Sequence, residues 1–134
     1  MALTYMLDTN LLIELLRGKA DYLVPRLEAA AGQLAVSTIT VAELDYGVER
    51  SRMREAMRAD VESLLELLSV VAFDRAAARV AGEIRHALAS ADTSIGPYDV
   101  LIAAHARALG LTLVTHNTRE SARIPGLTIE DWQA

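Results

Sequence analysis

Short apolar segments alternate with helix-forming stretches along the whole chain, and that alternation limits the fold more than any other feature. Residues 3–7, 34–37, 70–73, 112–115 and 127–130 read as strands. Between them, apolar residues recur at helical spacing; Met57, Val61, Leu64, Leu65 and Leu68 fall on one side of a helix expected over 52–68. Strands separated by helices join in parallel, because a parallel pair needs a crossover long enough to hold one. The expected fold class is α/β, with a central, mostly parallel sheet of four to five short strands covered on both faces.

Turn chemistry supplies the boundaries. The first helix, 11–16, ends near Gly18, and a second over 20–31 stops at Gly32, with Pro25 forcing a break or restart inside it. A helix is expected over 40–50. Asp74 is a natural N-cap for the alanine-rich helix running to about Ala91. Pro97 suits the first turn of the next helix, and Gly110 suits its end. No linker, repeat or low-complexity stretch divides the 134 residues, so one domain over 1–134 is expected.

Composition narrows the functional classes. There is no cysteine, which excludes disulfides, thiolate metal sites and cysteine nucleophiles and fits a cytoplasmic location. No apolar run approaches the roughly 18 to 20 residues of a membrane span, and no signal peptide is expected at the N-terminus. A net charge of −5 argues against bulk electrostatic coating of nucleic acid but not against a nuclease, whose acidic site is offset by bound cations. Aromatics make up only 4%, too few for a base-stacking platform.

The chemistry lies in four acids, each where a strand hands over to a helix: Asp8, Glu43, Asp99 and Glu120. Each has a modest structural explanation. Asp8 can cap a helix, Thr40 and Glu43 match a capping box, Asp99 falls in a first helical turn, and Glu120 can be a solvated loop residue. In an α/β fold, however, the ends of parallel strands face one crevice. Acids gathered there are ligands for hard divalent cations, which makes metal-assisted phosphodiester cleavage the leading reading. Asp8, Asp99 and Glu43 are the candidate metal ligands, and all four acids are candidate catalytic residues. Thr9, Asn10, Thr115 and Asn117 are placed to support them. Arg50, Arg52, Arg54 and Arg58 form the densest basic stretch and, with His116, are candidates for RNA contact; a solvated helix face explains the arginines equally well. His105 is mid-helix and is expected to pack or face solvent.

At these positions the chain resembles a known family. Asp8-Thr9-Asn10, the run from Thr40 to Gly47 around Glu43, Gly96-Pro97-Tyr98-Asp99 with its sequel to His105, Val114 to Glu120, and the ending at Glu130-Asp131-Trp132 look like PIN-domain toxins of the VapC type. The ordered set spans nearly the whole chain. It implies a three-layer α/β/α PIN fold and a Mg²⁺- or Mn²⁺-dependent endoribonuclease acting on structured RNA such as tRNA. It also implies a cognate VapB-type antitoxin and homodimers that build larger complexes. The Asn117-Thr118-Arg119-Glu120 and Glu-Asp-Trp patterns point to initiator tRNA. The family often carries an aspartate where Asn117 stands and a phenylalanine where Ser121 stands, so either Glu120 or Asn117 completes the site.

Three other readings remain at this point. A metal-dependent phosphatase could use Asp8 as nucleophile, although the dehalogenase-type site wants a second aspartate where Asn10 stands. A non-catalytic module could bind a partner along its helices. A DNA nuclease differs from an RNA nuclease in shape and 2′-hydroxyl contacts that residue types do not reveal.

Overall fold

The computed structural model describes residues 2–132. Strands β1 (Tyr5–Leu7), β2 (Leu34–Ser37), β3 (Ser69–Val71), β4 (Thr112–Val114) and β5 (Ile129–Glu130) form one sheet in the order β3-β2-β1-β4-β5. Every pairing is parallel, so the expected mostly parallel sheet is parallel throughout. The helices are α1 (Thr9–Leu16), α2 (Val24–Ala29), α3 (Thr38–Glu49), α4 (Arg54–Glu66), α5 (Arg75–Ser90), α6 (Pro97–Leu109) and α7 (Thr118–Ser121).

The strands are short, but their side chains divide cleanly between the faces. Met6, Ala35 and Leu113 join one core with Ile84, Leu88 and Ile102 of α5 and α6. Their neighbours Leu7, Val36 and Val114 join the other with Leu11, Leu12, Leu44 and Val61 of α1, α3 and α4. Period-two alternation with both faces apolar is what a sheet between two helical layers requires. On α5, Ala77, Ala81, Ile84 and Leu88 make the buried stripe.

Several boundaries differ from expectation. Residues 20–31 form a 3-10 turn, Asp21–Leu23, followed by α2, with Pro25 in the first turn of the restarted helix. The next helix begins at Arg54 rather than Arg52, and β3 ends at Val71, two residues early. The chain beyond β3 turns away because the Phe73 N–H is taken by the Thr38 hydroxyl at 3.0 Å. Thr118–Ser121 is a short helix, not an open loop. Gly110 ends α6 with φ +69, where a side chain would be strained. Among the described residues no helix is long and apolar enough to cross a membrane.

The strand order reverses beside β1: β2 lies on one side and β4 on the other. The crevice outside the carboxyl ends of β1 and β4 is therefore the topological switch point, where open α/β sheets bind ligands.

Ile84 of α5 is fully buried in the core that α5 shares with α6. Ile84→Ala should cost about 2–5 kcal/mol in urea unfolding, the usual range for emptying such a site.

Candidate active site at the switch point

Asp8 follows β1 directly and caps α1, with an extended backbone and its Oδ1 accepting the Thr9 N–H at 2.8 Å. Its Oδ2 accepts from the Thr115 hydroxyl, also at 2.8 Å, just beyond β4. The carboxylate is thus held from both strands that flank the switch point, and it is only 7% exposed. Thr115 Oγ1 also accepts the Asn117 N–H at 2.9 Å, and Asn117 Nδ2 donates to Glu120 Oε2 at 2.8 Å. A chain of hydrogen bonds therefore runs from Asp8 through Thr115 and Asn117 to Glu120.

A second chain runs the other way. The Thr9 hydroxyl lies 2.7 Å from Glu43 Oε1 and 2.9 Å from the Thr40 hydroxyl. A hydroxyl has one proton and a carboxylate only accepts, so Thr9 donates to Glu43 and accepts from Thr40. The capping box expected of Thr40 and Glu43 is not present. Ser37 caps α3, accepting the Ile39 N–H at 3.0 Å, and Glu43 lies beyond the first turn. The modest explanation for Glu43 is thereby removed. The run Ser37-Thr38-Ile39-Thr40 marked a helix start, but residue types alone did not say which hydroxyl caps and which serves the site.

Asp99 occupies the first turn of α6, half-buried. A Cβ on Gly96 would stand 3.1 Å from its Oδ2, so glycine there leaves the carboxylate room. Burial, then the charges of Asp8, Glu43 and Glu120, push the Asp99 carboxyl up to about 6. Burial also raises Asp8, against the hydrogen bonds from Thr115 and Thr9 and the His116 charge. Glu43 is raised by burial and by Asp8, with Thr9 opposing. These shifts mark four acids in one electrostatic neighbourhood. Among the described residues, the ion pairs involve none of the four.

The donor set is all carboxylate oxygen, the chemistry that suits Mg²⁺ or Mn²⁺. Among the described residues, no three carboxylates or imidazoles already converge on one point.

The remaining candidates scatter. Asn10 is exposed on the first turn of α1. His116 is pinned at the rim, its Nδ1 2.6 Å from Asp131 and its Nε2 2.8 Å from the Tyr22 hydroxyl, with Glu14 at 3.7 Å. Arg58 is engaged by Asp45, Glu49 and Glu62. Arg54 donates to the Glu49 carbonyl, Arg50 lies over the Tyr46 ring, and Arg52 is exposed. Arg50, Tyr46, Tyr98 and Glu43 line one groove of about 720 Å³, and Glu43 is the acid it reaches.

A family model, the PIN domain, matches residues 5–127. The chain is 42% identical to the tRNA(fMet)-specific endonuclease VapC of Shigella flexneri over 130 residues, 97% of this chain and 98% of that protein. Its fold matches a chain in the DNA-bound VapBC structure from Salmonella typhimurium with a TM-score of 0.95 and 43% identity, covering 98% of this chain and 99% of that one. VapBC2 from Rickettsia felis, bound to a promoter DNA fragment, gives 0.92 and 36%, covering 99% and 100%.

The chain belongs to the VapC group of PIN-domain nucleases.

The three-layer α/β/α fold expected from the motifs is the VapC fold. A VapC nuclease has no need of an aspartyl-phosphate, and Asp8 is ill-suited to form one, with both oxygens hydrogen-bonded and little surface exposed.

The raised Asp99 carboxyl sets a pH dependence. Between an ordinary 3.8 and about 6, the folded chain keeps a proton that the unfolded chain has lost. Stability therefore falls as pH rises through that window and stays lost above it. In EDTA, Asp99→Asn should melt higher than wild type at pH 7.5, with the gain disappearing near pH 4. Differential scanning calorimetry across that range checks it.

Proposed function

We propose that the chain is a Mg²⁺- or Mn²⁺-dependent endoribonuclease toxin that cleaves tRNA, with initiator tRNA as substrate, and that a VapB-type antitoxin holds it inactive. The observation that carries this reading is the neighbourhood of Asp8, Glu43, Asp99 and Glu120 at the switch point, four acids that form no ion pair among the described residues. The tRNA substrate is supported by the Shigella flexneri relative, named for tRNA(fMet). The antitoxin is supported by the VapBC structures from Salmonella typhimurium and Rickettsia felis.

Asp8 and Asp99 would hold the ion, Glu43 would share in holding it or orient a water, and Glu120 or Asn117 would complete the site. With an ion held by these residues, the phosphate would be polarised and the attacking water made more acidic. The chain's own residues do the rest. Thr9 and Thr115 fix Asp8 and Glu43 by hydrogen bonds that also favour their charged forms. Asn117 fixes Glu120. Arg50 lines the groove with Glu43, where it would meet a phosphate, and the reading extends to its exposed chain neighbours Arg52 and Arg54 as phosphate contacts that position the RNA. The same reading has one domain over 1–134, cytoplasmic, forming homodimers that assemble further with antitoxin.

Purified, antitoxin-free protein should cut a total tRNA pool into discrete fragments with Mg²⁺ or Mn²⁺ and not with EDTA. Asp8→Asn should lower the rate by more than about 100-fold, since even partners of metal ligands cost about 10–100-fold. End mapping of the fragments identifies the substrate; fragments from elongator tRNAs alone would reject initiator tRNA.

A further inference from the structure

Asp8, Glu43 and Glu120 are each held by a side-chain or backbone hydrogen bond. Among the described residues Asp99 has none; the groups that act on it are burial and three like charges. Its position therefore depends on how α6 is fixed relative to the other acid-bearing elements.

Apolar packing holds α6 in its core, and one buried polar bond ties it to the head of α3. Ser37, fully buried at the end of β2, caps α3 by accepting the Ile39 N–H. Its oxygen also lies 2.8 Å from Nδ1 of His105, on α6. His105 is 1% exposed and set edge-on against Phe73, with ring centroids 5.4 Å apart. Burial lowers its pKa, against the Asp74 charge and a hydrogen bond to the Ala72 backbone, which favours the neutral ring, in which one nitrogen accepts. With Ser37 donating to Nδ1, the proton sits on Nε2. That atom makes no hydrogen bond of standard geometry among the described residues, although the Ala72 backbone is close enough to act on the ring. What the imidazole adds is the bond at Nδ1.

That bond joins two helices at matching places. His105 is six residues beyond Asp99 on α6, and Ser37 is six residues before Glu43 at the head of α3. We infer that His105 is a positioning residue: its bond to Ser37 ties α6 to the head of α3 and so sets Asp99 against Glu43. The inference rests on reading those acids as one metal-dependent site. His105 touches neither substrate nor ion and acts through Asp99.

The test compares Mn²⁺ affinity by calorimetry with kcat and KM on tRNA. Asparagine places a polar atom where Nδ1 stands; glutamine places one where Nε2 stands. His105→Leu and His105→Gln should weaken Mn²⁺ binding and lower kcat about 10–100-fold, the range for groups that orient metal ligands. KM for tRNA should stay within about twofold, since substrate contacts are untouched. His105→Asn should recover most of both. Ser37→Gly, which keeps an acceptable N-cap, should reproduce the loss, and adding His105→Leu to it should cost little more. Folded His105→Gln and Ser37→Gly with wild-type Mn²⁺ affinity and kcat would overturn the inference, whatever their melting temperatures and whether or not His105→Leu folds. A wild-type chain that cleaves tRNA without binding Mn²⁺ would overturn the metal reading itself, and the inference with it.

Discussion

The Asp8 carboxylate, gripped by the Thr9 N–H on one side and the Thr115 hydroxyl on the other, is the point from which the site is built. It stands at the end of the central strand, where the sheet order reverses. From it, one hydrogen-bond chain reaches Glu120 through β4's exit, and another reaches Glu43 through Thr9. Both chains use hydroxyls and amides that accept or donate without neutralising charge. The protein thus fixes its carboxylates while, among the described residues, no arginine or lysine pairs with them.

That arrangement has a cost. Asp8, Glu43 and Asp99 all have raised carboxyl pKa values, with burial the first cause in each. Like charges held together in a partly desolvated crevice destabilise the fold at neutral pH. The two apolar cores on either side of the sheet must offset it, with Met6 and Leu7 of the same strand anchoring opposite layers. A divalent cation would relieve the repulsion and supply the chemistry. In this way the demands of fold and function meet at one place.

Much of this was legible in the residues. Alternating strands and helices gave the parallel sheet, and Asp8 at the end of β1 marked the crevice; the expectation that all four acids follow strands fails for Asp99, which comes after helix α5, and for Glu43, which lies more than a turn inside α3. The ordered motifs, not one of them decisive alone, gave the family. Other features were not legible because they depend on distant partners. Thr40 looked like a cap until Ser37 took that role and freed it for Thr9. Glu120 looked like a loop residue because a four-residue helix carries too little periodicity to detect. His105 looked like an ordinary helical residue, since the hydroxyl it meets is 68 positions away. Arg58 looked like a free cation, since the acids around it come from two helices.

The central claim is that these carboxylates form one coupled, cation-binding unit, and proton release on Mn²⁺ binding tests it most directly. Asp99 titrates at about 6, so at pH 6 a good share of it is protonated, and a bound ion must expel that proton. Calorimetry in buffers of different ionisation enthalpy reads the number released. The account predicts a substantial fraction of a proton per Mn²⁺ at pH 6, little at pH 8, and neither binding nor release in Asp8→Asn. Binding that releases no proton at pH 6, or that survives Asp8→Asn unchanged, would contradict it.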